Sequence, residues 1–88
     1  MGSQRYYIQL EANKSTAIVV NRPLTLGEAY DYLEEQLGIS AQRIGISAIE
    51  QTEGQLTIYY KGEVIIYRVI EANQHNVAKS LWELISIN

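Results

Sequence analysis

Gln55-Leu56-Thr57-Ile58-Tyr59-Tyr60-Lys61-Gly62-Glu63-Val64-Ile65-Ile66-Tyr67-Arg68-Val69-Ile70 is the stretch on which the fold turns. It holds two runs of β-branched and aromatic residues around Lys61-Gly62, a pair suited to a tight hairpin turn. A two-residue turn there places Leu56, Ile58, Tyr60, Ile65, Tyr67 and Val69 on one face. Gln55, Thr57, Tyr59, Val64, Ile66 and Arg68 then take the other, because side chains alternate along a strand and opposed residues point the same way. A longer turn would slip the register and exchange part of these sets. The first set is apolar enough for a core. The second is half polar, yet the last strand is apolar on both sides, and a two-faced apolar strand needs cover on both sides.

Working towards the N-terminus, Arg43 to Ile49 reads as a further strand, joined to the hairpin through Thr52-Glu53-Gly54. Before it, Thr25-Leu26-Gly27-Glu28 has the spacing of a capping box, in which threonine and glutamate satisfy each other's backbone amides. Leu26, Ala29, Tyr30, Leu33 and Leu37 follow at helical spacing, Asp31, Glu34, Glu35 and Gln36 take the opposite side, and Gly38 is the expected C-terminal cap. Pro23 is expected to end the preceding strand. Tyr6 to Glu11 and Thr16 to Val20 read as a hairpin around Asn13-Lys14, pairing Ala12 with Ser15, Leu10 with Ala17 and Ile8 with Val19. At the C-terminal end Asn73 or Asn76 can cap a second helix with the stripe Val77, Ala78, Leu81, Trp82, Leu84 and Ile85. The predicted order is β-β-α-β-β-β-α: an α+β fold, a mostly antiparallel sheet with helices packed on it.

The first half resembles the β-grasp, or ubiquitin-like, arrangement. A hairpin leads to a helix opened by Leu24-Thr25-Leu26, and Leu37-Gly38-Ile39-Ser40-Ala41-Gln42-Arg43-Ile44 leads into the next strand. The likeness covers residues 5 to about 50 and implies a fold only. Modifiers and sulfur carriers of that family end in Gly-Gly. This sequence ends Ser86-Ile87-Asn88, so carrier chemistry is not expected.

Composition bounds the function. Eighty-eight residues suit one domain spanning 1–88, with residues 1–4 expected to be disordered or added by cloning. Apolar residues make up 47% and charged residues 19%, which supports a packed core and argues against disorder. With no cysteine, disulfides, thiolate metal sites and cysteine nucleophiles are excluded. The net charge is −3, and the basic residues Arg5, Lys14, Arg22, Arg43, Lys61, Arg68 and Lys79 are scattered, so nucleic acid is not an expected partner. No run is long and apolar enough for a membrane span, and no export signal is visible, so the expected address is the cytoplasm with no membrane role.

Catalytic motifs are missing. No GxSxG, GxxxxGK[ST] or GxGxxG occurs, and no serine has a histidine partner implied by spacing. His75, the one histidine, is read as a polar residue at a helix start. Glu28, Asp31, Glu34 and Glu35 read as a solvated helix face favoured by the helix dipole, and no cofactor or metal is expected. Seven tyrosines against no phenylalanine are unusual. Tyr6, Tyr30, Tyr60 and Tyr67 fall on core faces, and Tyr7, Tyr32 and Tyr59 on outer ones, where tyrosine's apolar body and polar tip suit protein interfaces. The outer patch of the hairpin is Tyr59, Val64 and Ile66, rimmed by Thr57 and Arg68. Burying it would remove roughly 200–300 Å² of apolar surface, about 5–8 kcal/mol before ordering costs. The expectation is a non-catalytic protein-interaction module whose partner is another protein. The alternatives are a homodimer, and a small-molecule or enzymatic site near His75 and the helix carboxylates.

Overall fold

The computed structural model describes residues 5–71. Among them the order is β1 (Tyr6–Ala12), β2 (Ser15–Leu24), α1 (Leu26–Ala41), β3 (Ile46–Thr52), β4 (Gln55–Tyr60) and β5 (Glu63–Glu71). The α+β class stands, but the predicted seven-element order is not matched in full. Its last helix, over residues 73–85, lies outside the described residues, which contain one helix.

The five strands form one sheet in the order β2-β1-β5-β4-β3, with every neighbouring pair antiparallel. Two tight turns set the register. Asn13 and Lys14 both adopt positive φ (50° and 66°), as do Lys61 and Gly62 (49° and 82°), the conformation whose twist matches paired strands. Lys61-Gly62 is therefore a two-residue turn, and Tyr60 pairs with Glu63, Tyr59 with Val64, Ile58 with Ile65 and Leu56 with Tyr67. Asn13 Nδ2 donates to Glu63 Oε1 at 3.2 Å and ties the first turn to the start of β5.

The β1–β2 hairpin keeps Ala12–Ser15 and Leu10–Ala17, but Ile8 pairs with Val20 rather than Val19. An extra residue enters β2 between Ile18 and Val20, turning Val19 to solvent. β2 also runs through Pro23 to Leu24 instead of stopping at the proline. It is an edge strand, where a residue without an N–H costs the ladder nothing.

α1 begins at the expected cap. The Thr25 hydroxyl accepts from the Glu28 N–H at 3.2 Å, and the Thr25 N–H donates to Glu28 Oε1 at 2.8 Å. Its end was expected at Gly38, yet the helix continues to Ala41 and closes on Gln42. Burial of Ser40 against the sheet rewards the additional turn, and a Cβ at Gly38 would meet nothing within 4 Å. β3 consequently starts at Ile46 rather than Arg43, and Gly45 sits at φ +95° in the turn before it. Leu26, read as part of the apolar stripe, is exposed in the first turn.

α1 covers one face of the sheet. Tyr6, Ile8, Leu24 and Ala29 form one buried group, Leu33, Leu56 and Ile58 another, and Tyr67 and Val69 pack against both. Tyr32, expected on an outer face, turns inward and meets Tyr67 edge-on at 6.1 Å. The described residues thus form one helical layer on one sheet.

Candidate functional site

The face of the sheet away from α1 follows from the registers. β1 contributes Tyr7, Gln9 and Glu11; β5 contributes Val64, Ile66, Arg68 and Ile70; β4 contributes Gln55, Thr57 and Tyr59. No other element among the described residues lies across it. All five residues singled out from the sequence stand here together. Tyr59 pairs directly with Val64, Thr57 with Ile66, and Arg68 lies one pair further along, opposite Gln55.

Their surroundings differ. Val64 is 43% exposed, Tyr59 and Ile66 are half-buried, and Thr57 is 8% exposed although nothing described lies over it. The Thr57 hydroxyl accepts from Gln55 Nε2 at 3.1 Å. The Tyr59 hydroxyl donates to Glu50 Oε2 at 3.3 Å. Repulsion between a phenolate and the Glu50 carboxylate pushes the Tyr59 pKa up, with desolvation adding to it. Tyr59 is thus a neutral hydrogen-bonding aromatic at physiological pH.

Arg68 stands on the middle strand of the sheet, between two polar groups. Its Nη1 lies 2.6 Å from Glu11 Oε1, and its Nε donates to Gln55 Oε1 at 3.2 Å. Gln55 then passes the chain of hydrogen bonds to Thr57. Three strands are cross-linked by this network, which ties the guanidinium to Glu11 and Gln55. The pair is more than a third exposed, so its net worth is about 0–1 kcal/mol and its main effect is positional.

The face therefore has two apolar ends, Tyr59 with Val64 and Ile66 at one and Tyr7 with Ile70 at the other, joined by a neutralised polar bridge. The Glu11 contact could not be read from the sequence, because nothing local reports that β1 and β5 are neighbours. Gln55 could be read, since it shares the hairpin parity with Arg68.

The carboxylates of α1 lie on the other side of the molecule. Glu28, Asp31 and Glu35 line an open groove of about 270 Å³ with Val20, Arg22, Leu24 and Tyr32, while Glu34 does not line it. Glu28 is engaged in the helix cap, and Arg22 Nη1 approaches its second oxygen at 3.9 Å. His75 lies outside the described residues. No three acidic or histidine side chains among the described residues are placed to share a metal ion. None of the described helices is long and apolar enough to cross a membrane.

Comparison with known protein families, curated proteins and solved structures finds no match. The β-grasp likeness of residues 5 to 50 therefore carries no functional argument, and the reading rests on the geometry alone.

Proposed function

We propose that this is a non-catalytic protein-interaction module, cytoplasmic in address, which presents the uncovered face of its sheet to another protein. The observation that carries the reading is the gathering of Tyr59, Val64 and Ile66 on one face that no described element covers. On β5 the apolar residues of this face are Val64 and Ile66 on one side of Arg68 and Ile70 on the other, with polar Gln9 and Glu11 on one flank and Gln55 and Thr57 on the other. A narrow row of apolar side chains interrupted by one neutralised pair suits the apolar stripe of an amphipathic helix better than a broad flat surface. Tyr59 supplies a rigid aromatic anchor, and the pinned Arg68 leaves no unpaired charge beneath an incoming apolar group.

The test compares affinity capture by the wild type, Ile66→Asp and Ile39→Asp, the last altering an exposed position on α1. A protein held by the wild type and Ile39→Asp but released by Ile66→Asp supports the reading. Equal retention by Ile66→Asp at unchanged thermal stability sinks it.

A second reading, a homodimer through the β3 edge, is favoured by one contrast. The β2 edge carries two register shifts and Pro23, which discourage pairing, whereas β3 has one shift, between Ile46 and Ala48, and neither proline nor lysine. It predicts self-association that Ala48→Lys abolishes and Ile66→Asp leaves intact.

A further inference from the structure

β2 departs from a regular ladder between Ile18 and Leu24, on the side that faces α1. Ile18 pairs with Gln9 but Val20 with Ile8, so the extra residue at Val19 carries Val20 from the outer side of the sheet to the α1 side. Leu24 then pairs with Tyr6, so β2 spends four residue steps where β1 spends two. The surplus chain stands at the sheet's edge and carries Arg22. Opposite it, Glu28, Asp31, Tyr32 and Glu35 share one face of α1 at spacings of three and four. Strand and helix together bound the open groove of about 270 Å³, whose apolar part is Val20, Leu24 and Tyr32.

The groove is unbalanced in charge. Glu28 accepts from the Thr25 N–H, and Arg22 Nη1 lies 3.9 Å from its other oxygen. Asp31 and Glu35 are exposed and make no hydrogen bond or ion pair among the described residues. They stand one helical turn apart, where two like charges repel each other. Three carboxylates against the single guanidinium of Arg22 leave two negative charges on the groove. Tyr32 stays neutral beside them, because desolvation, then Tyr67 and Glu35, push its hydroxyl pKa up. The complement is a cation with an apolar stem. A guanidinium suits it best, since its planar fork reaches two carboxylates at once and an alkyl stem covers apolar surface. The volume lies below the ~300–1,000 Å³ of small-molecule pockets and the groove is open, so a free cation would bury little of itself. A whole added strand is disfavoured too, by the register shifts and Pro23 of β2. One side chain carried by a partner meets both limits.

The geometry points to a second docking site in the groove between β2 and α1, which takes an arginine side chain of a partner protein, its stem on Val20 and Leu24 and its guanidinium between Asp31 and Glu35. This site lies on the other side of the sheet from Ile66, and its test is separate from that of the uncovered face.

The full chain, isotope-labelled, is titrated by amide NMR with a short blocked peptide carrying one arginine between two leucines. Its citrulline counterpart and free butylguanidinium are run beside it. The arginine peptide should give saturable shifts confined to residues 20–24 and 28–35. The citrulline peptide, of the same shape without the charge, should bind about tenfold more weakly. Asp31→Asn and Glu35→Gln should each weaken binding about threefold, and together abolish it, while Glu34→Gln, off the groove, is silent. Both positions are exposed and their replacement relieves like-charge repulsion, so melting temperatures should hold or rise. No saturable shift up to about 10 mM peptide overturns the site, as does a citrulline peptide that binds equally well or indifference to both carboxylates. Butylguanidinium binding as tightly as the peptide overturns the partner side chain and makes the groove a site for a free cation. Failure of this titration leaves Ile66-dependent capture untouched, and capture indifferent to Ile66 removes only the face reading.

Discussion

Glu28 shows how one side chain reports on the local design. Its pKa is held below the ordinary glutamate range, chiefly by the hydrogen bond from the Thr25 N–H and then by Arg22. A folded-state pKa that is depressed contributes stability above the unfolded value and loses it as the pH falls through the folded one. The stability gap between wild type and Glu28→Gln should therefore be largest near neutrality and shrink on acidification, which thermal melts at neutral and acid pH will show. Thr25→Ala removes the other half of the cap and should cost about 1 kcal/mol in urea unfolding. This cap was legible in the sequence because all its parts lie within four residues. Tyr32 was not, since its inward turn depends on Tyr67, thirty-five positions away and on another element. Gly45 was misread for the same reason: its φ of +95° belongs to a turn whose carbonyl accepts from the Lys61 N–H. Gly45→Ala would place a Cβ 2.8 Å from Lys61 Cε in a conformation alanine resists. It should destabilise by about 1 kcal/mol or more.

At the scale of elements, α1 carries the sharpest test. Gly38 has the look of a terminator, but the helix runs through it to bury Ser40. Tertiary contact outweighs a local stop signal worth only about 1 kcal/mol. Gly38→Ala should accordingly raise stability by about 0.5–1 kcal/mol, as a helix-interior substitution facing solvent does; a true left-handed cap would instead be destabilised. Leu33→Ala, at a fully buried position between α1 and β4, should cost about 2–5 kcal/mol. Strand identities and the β4–β5 register were readable from period-two patterning and the Lys61-Gly62 turn. The extension of β2 through Pro23 was not, because a proline is tolerated there only by virtue of an edge position. Sheet order is non-local, so the pairing of β1 with β5, and with it the Arg68–Glu11 contact, had no local signal.

The whole molecule is a two-layer slab in its described part, one helix on one sheet, with its most distinctive chemistry on the side the helix leaves uncovered. The candidate patch was found by parity alone, since five residues of one hairpin must share a face once the turn has two residues. What parity does not supply is the occupant, and the account proposes another protein for that place rather than a second copy of this chain. Sedimentation velocity of the full chain across a wide concentration range, with Ile66→Asp run beside it, tests this most directly. The account predicts a concentration-independent monomer for both proteins. Self-association of the wild type that Ile66→Asp abolishes would put a second copy on the face and contradict it.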